Sequence, residues 1–165
     1  MADDYSADIA ISNVNIVGKG CELSADITYK LSPLAKEALN KGINLTWRIL
    51  IKIDQKGWLW NSSVYEYEMA YQIQHHAVLN LYSVEQIANG ATEAYSTLNA
   101  ALNSISKIRQ LKLDCAFNRD PEKKYYLAVK VLFDREALAV PLRALSYFDK
   151  QWALSSPWEL WQLQK

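Results

Sequence analysis

Apolar residues recur at every second position in four stretches, and this alternation decides what the chain can fold into. In Cys21–Leu31 the odd positions are Cys, Leu, Ala, Ile, Tyr and Leu, and the even ones are Glu, Ser, Asp, Thr and Lys. In Ile43–Ile53 the odd positions are Ile, Leu, Trp, Ile, Ile and Ile, and the even ones are polar except Leu50. Tyr65, Tyr67, Met69, Tyr71 and Ile73 alternate with Glu66, Glu68, Ala70 and Gln72. Tyr125–Phe133 carries Tyr, Leu, Val, Val and Phe in the same phase. Successive side chains of a strand point to opposite faces. Each stretch therefore has one wall on a core and one in water, as strands of antiparallel sheets do.

Weaker strands fill the gaps. Ile9 and Ile11 share one phase, and Val14 and Ile16 take the other. A bulge near Ser12-Asn13 reconciles them. Gly18-Lys19-Gly20 turns the chain into the next strand, and Asn89-Gly90 joins Leu81–Ala88 to Ala91–Tyr95 as a hairpin. Leu111, Leu113, Cys115 and Phe117 alternate, and Asn118-Arg119-Asp120-Pro121 turns into Tyr125–Phe133.

Two helices interrupt the strands. The first has Ser32 as N-cap and Pro33 as its first residue, and stops at Gly42. The second starts at Ser96 or Thr97, with Leu98, Ala101, Leu102, Ile105 and Ile108 as one core-facing stripe. About eight strands with short connections and two short helices predict a mainly β (α+β) fold. Its architecture is an antiparallel two-layer β-sandwich, immunoglobulin-like or similar. Length agrees: 165 residues suit a single domain over 1–165, with its core at about 9–163.

Charge and motifs narrow the function by exclusion. Eighteen Lys and Arg balance eighteen Asp and Glu. That balance argues against a nucleic-acid partner, which asks for a basic face. No stretch reaches the roughly 18 apolar residues of a membrane span. Met1-Ala2-Asp3-Asp4 is acidic, unlike the basic start of a signal peptide. Taken alone, these features read as cytoplasmic. Cys21 and Cys115 both fall on apolar phases, which favours two buried thiols over a disulfide. Neither a P-loop, nor G-x-S-x-G, nor H-E-x-x-H occurs, and Gly18-x-Gly20 is a turn.

Three features have residue types that chemistry uses. His75 and His76 are adjacent on a strand and so point to opposite faces, which makes them poor joint metal ligands. Glu66 and Glu68 share a face about 6.6 Å apart by the strand rise, a separation that suits a carboxylate pair acting on a sugar. An enzyme would use His76 or Glu66 and Glu68, but a solvated face is the better reading of the two acids, since alternation sets them opposite Tyr65, Tyr67 and Met69. The six Trp are the most unusual feature. Trp58 and Trp60 fall near a hairpin tip, and Trp152 and Trp158 lie close to Ser155-Ser156-Pro157. Large amphipathic rings at such places form binding surfaces or plug the ends of a sandwich. These four are the candidate ligand- or partner-binding residues; no catalytic residue, metal ligand or cofactor is assigned.

One set of elements, taken in order, resembles a known family. Glu22-Leu23-Ser24-Ala25-Asp26, Leu31-Ser32-Pro33-Leu34 and Glu37-Ala38-Leu39 with Gly42 come first. Trp58 and Trp60 then match a W-x-W element, and His76-Ala77-Val78-Leu79 with Tyr82 and Val84 an H-A-L…Y-x-V stretch. Tyr95-Ser96-Thr97-Leu98, Leu132-Phe133-Asp134, Pro141-Leu142-Arg143 and Trp152–Trp158 complete the series. Together they resemble the bacterial family catalogued as domain of unknown function 4390. The family usually has Arg before W-x-W and an acid after it, where this chain has Lys56-Gly57 and Asn61. The resemblance implies an exported, periplasmic or envelope-anchored protein whose export segment is absent here, with membrane proximity through that segment. It also implies genes beside a membrane sensor histidine kinase. No activity is attached to the family, so no catalytic residue carries over. The expectation is a non-enzymatic binding or adaptor module working with an envelope protein such as that kinase. The alternative is a carrier of a small apolar ligand or lipid, lined by Tyr65, Tyr67 and Tyr71.

Overall fold

The computed structural model describes residues 5–115 and 120–163. Its elements run β1 (Ala7–Val17), β2 (Gly20–Tyr29), α1 (Pro33–Asn40), β3 (Leu45–Gln55), β4 (Ser62–His76), β5 (Leu81–Gln86) and β6 (Thr92–Tyr95). Then follow α2 (Leu98–Ser104), β7 (Lys107–Leu113), β8 (Tyr125–Phe133), α3 (Val140–Ser146) and β9 (Glu159–Gln162). Two 3-10 turns, Arg135–Ala137 and Lys150–Trp152, flank α3. The strands form two antiparallel sheets, ordered β1-β2-β7 and β6-β5-β4-β3-β8-β9, consistent with a β-sandwich. The described residues thus contain nine strands and three helices, where the sequence suggests about eight and two.

Alternation translates directly into burial. Along β3, Leu45, Trp47, Ile49, Ile51 and Ile53 are buried, and so is the same phase of β8: Tyr125, Leu127, Val129, Val131 and Phe133. These residues meet Cys21, Leu23, Ala25 and Ile27 of β2 in one core. The β1 bulge lies where the phase change requires it, between Ile11 and Asn13. Ser32 caps α1, its Oγ accepting from Ala35 N at 3.1 Å, and Gly42 after it takes a positive φ of 91°. Thr97 caps α2 in the same way.

Two expectations need correction. The apolar stripe of α2 does not reach Ile108: the helix stops at Ser104, and Ile108 is the second residue of β7. The spacing of three from Ile105 to Ile108 continues the helix period, but pairing of β7 with β2 sets Ile108 opposite Ala25. Cys21 and Cys115 are not free thiols but a disulfide, with Cα atoms 5.8 Å apart. The register places Cys21 opposite Leu113, two residues short of Cys115, and so brings the thiols within bonding reach. Phe117 and Asn118-Arg119, part of the expected turn, lie outside the described residues.

An aromatic column ties the layers together at the α1 end. Tyr29 of β2 packs edge-on to Trp47, Trp47 meets Phe133, and Phe133 stacks on Trp152 at 5.8 Å. The Tyr29 hydroxyl donates to the Ile105 carbonyl at 2.9 Å. Burial first, and Tyr71 second, push its ionisation well above the ordinary tyrosine range. Ser155 and Ser156 lie alongside β8, their Oγ atoms accepting from Phe133 N and Val131 N at 2.9 and 2.8 Å.

Candidate functional site

The β3–β4 hairpin carries the most exposed tryptophans among the described residues. Trp58 is 95% exposed, Leu59 69% and Trp60 72%. Large apolar side chains normally leave water on folding, so three in a row at one tip are a patch rather than scattered exposure. The tip has a firm base. Lys56 N donates to Lys124 O at 2.9 Å, anchoring the loop to the start of β8. Gly57 lets the chain fold back on itself: a Cβ there would stand 2.0 Å from the Trp60 carbonyl oxygen. Gly57→Ala therefore has to reshape the loop. We expect a loss of about 1–3 kcal/mol, as for overpacking elsewhere, measured by urea denaturation.

The other candidate tryptophans part company. Trp152 is 1% exposed and belongs to the core, so it cannot contact a ligand or partner at the surface. Trp158 is part-exposed on the outer face of the six-stranded sheet. Lys52 Nζ stands 4.5 Å from its ring centre and Lys130 Nζ 5.9 Å, a cation–π arrangement. Trp158, Leu50, Lys52, Glu66, Tyr67 and Glu68 line an open groove of about 450 Å³. The structure thus brings Trp158 and the two acids together and leaves Trp58 and Trp60 apart, on the tip. Within the groove, Glu68 is bonded to Arg48, whose Nε also donates to Asp134 at 2.8 Å. Those bonds, to Glu68 first and Asp134 second, raise the guanidinium pKa and keep it charged.

The histidines sit on β4 beside β5. His75 packs against the Tyr82 ring at 4.7 Å, and its buried Nδ1 has no partner among the described residues. His76 Nε2 lies 2.9 Å from Ser83 Oγ. The sequence offers no motif for this contact, since it arises from the β4–β5 register, in which Gln74 faces Ser83. A Ser–His pair needs an orienting third group to act as a nucleophile, and no described carboxylate bonds His76. Among the described residues, no group of three or more His, Cys, Asp or Glu could hold a metal ion.

Of the tyrosines expected to line a carrier cavity, Tyr67 and Tyr71 border open clefts, and the Tyr65 hydroxyl accepts from Asp114 N at 3.3 Å. Tyr71 lines two, of about 170 and 180 Å³, at the side of the sandwich. A further apolar patch escaped the sequence reading: Val140, Leu145, Tyr147 and Phe148 are exposed in and just after α3. It lies at the end of β3 away from the tip, since α3 follows Asp134, whose N bonds Thr46 O. No described helix is long and apolar enough to cross a membrane.

Comparison with known proteins adds one result. The model of the family described as Domain of unknown function (DUF4390) matches residues 6–162. Neither a curated protein nor a solved structure matches.

Proposed function

The chain belongs to the DUF4390 family, and we propose that it is a non-enzymatic binding or adaptor module on the periplasmic side of the bacterial envelope. It grips an envelope protein, such as a membrane sensor kinase, through Trp58, Leu59 and Trp60. The observation that carries this reading is the exposure of both tip rings, 95% at Trp58 and 72% at Trp60, on a loop anchored at Lys56 and closed at Gly57. Tryptophans of this kind act as interface hot spots, since a partner removes a large rigid surface from water at little entropic cost. The Cys21–Cys115 disulfide supports the periplasmic placement, because such bonds persist where the surroundings oxidise.

The tip and the core separate cleanly by mutation. Trp58→Ala with Trp60→Ala should change unfolding free energy by no more than about 0.5 kcal/mol, as for other exposed positions. The same variant should lose the partner in affinity capture from cells in which the wild-type chain retains it. Equal capture by the double variant would overturn the assignment of the tip.

A further inference from the structure

Strand β4 outruns its neighbour. β5 pairs only with Tyr71–His76, and the last bond on that side runs from Ile87 N to Ala70 O at 2.9 Å. From Met69 back to Ser62 the backbone pairs with β3 alone, while the Tyr65 hydroxyl accepts from Asp114 N at 3.3 Å and the Tyr65 carbonyl from Ser63 Oγ at 3.4 Å. The register shift between Ile53 and Asp54 leaves Val64 as a bulge, so Tyr65–Met69 is the straight part of this overhang. Among the described residues, no other backbone group bonds its outer edge.

The remaining free edges are blunted in the usual ways. β6 and β9 are four residues long. β1 is bulged. β7 carries Lys107, Arg109 and Lys112 and is kinked at Gln110, where φ is 47°. The β4 overhang contains neither Lys nor Pro.

We propose that Tyr65–Met69 receives an extended strand from a different protein, one with apolar side chains facing in and basic side chains facing out. A row of unpaired N–H and C=O groups is satisfied by another extended backbone. Tyr65, Tyr67 and Met69 share the inward phase with Ile53, Ile51 and Ile49 across β3. Beside them runs a cleft of about 180 Å³, where Met69, Ile105, Ile108 and Leu111 form the apolar part and Lys107 and Arg109 of β7 the basic part, Arg109 being paired with Asp26 at 2.7 Å. Inward side chains of the added strand cover this cleft. Glu66 and Glu68 point outward and are exposed, and Glu66 has no described ion-pair partner. Opposite charges across neighbouring strands stabilise the pair, and like charges destabilise it. Two copies of this edge would set Glu66 and Glu68 against the same acids, which disfavours self-pairing and favours a basic strand. The site does not depend on the tip tryptophans, and stands if their assignment fails.

The probe is a capped heptapeptide, Thr-Lys-Val-Lys-Val-Lys-Thr, with its Lys-to-Glu counterpart as control, titrated into the full chain and read by backbone amide NMR. The lysine peptide should give saturable shifts and slowed hydrogen exchange centred on Tyr65–Met69. The glutamate peptide should bind at least about fivefold more weakly. Glu66→Lys, at an exposed position that leaves the fold intact, should narrow or reverse that preference. Trp58→Ala with Trp60→Ala should leave it unchanged. Shifts elsewhere, no saturable shift with millimolar lysine peptide, or equal binding of the two peptides would overturn the proposal.

Discussion

Trp152→Ala should cost about 3–5 kcal/mol of unfolding free energy, the range for removing a large buried aromatic. The ring is 1% exposed and stacks on Phe133, which in turn packs on Trp47. Few neighbouring groups can refill that volume. Ser155 and Ser156 pin the following segment to β8, so the backbone cannot simply collapse into the hole. Urea denaturation checks the value, with mass-matched controls at Trp58 and Trp60. The contrast is the point of the experiment: three tryptophans of one sequence should divide into one that stabilises and two that do not. A loss below about 1 kcal/mol at Trp152 would contradict the burial described here.

Removal of the disulfide is the second large effect. Cys21→Ala with Cys115→Ala opens a loop of 94 residues. In the chain-entropy description, closing such a loop stabilises the folded state by about 4–5 kcal/mol. The joined strands also remain paired through the β2–β7 ladder, so the native topology should persist. We expect a cooperative transition shifted to lower urea with a similar native spectrum, because the change acts mainly on the unfolded chain. Addition of a reductant to the wild-type protein should reproduce the shift. An unchanged midpoint in both experiments would show that the bond does not contribute to stability.

The fold was legible where burial follows a simple period. β2 and β3 each have one buried phase and one wetter phase, so Ile49, Ile51 and Ile53 announce themselves against Arg48 and Lys52, whereas β8 buries Ala128 on its second phase and β4 exposes Tyr67 and buries Ala70. The bulge of β1 was equally plain, because a phase change between Ile11 and Val14 has no other cheap solution. Local capping chemistry gave the start of α1 through Ser32 and Pro33. Spacing alone can mislead: Ile108, three residues after Ile105, continues the helix stripe, yet the β2 ladder holds it opposite Ala25 on β7, and Ile105 caps α2. Helix α3 has no side-chain cap at Ala139, so Pro141 in its first turn is a start signal without the cap that marks α1, and β9 is only four residues long.

The candidate site divides in the same manner. Trp58 and Trp60 were readable as tip residues because Lys56-Gly57 marks a turn between two strong strands. Trp152 lies on a 3-10 turn with no extended periodicity, so its burial depends on Phe133, nineteen positions earlier, and could not be read locally. The disulfide is likewise a consequence of register: a separation of 94 residues is silent until β2 and β7 pair. The free edge of β4 depends on where β5 stops, which alternation does not encode.

The central claim, that the Trp58–Trp60 tip holds an envelope protein, is tested most directly by photo-crosslinking in cells of the organism that makes this chain. A photoreactive amino acid replaces Trp60 in one strain and exposed Lys36 on α1 in another. One discrete protein adduct is expected from position 60 that position 36 does not give. Adducts confined to lipid, or no adduct from a normally produced and folded protein, would contradict it.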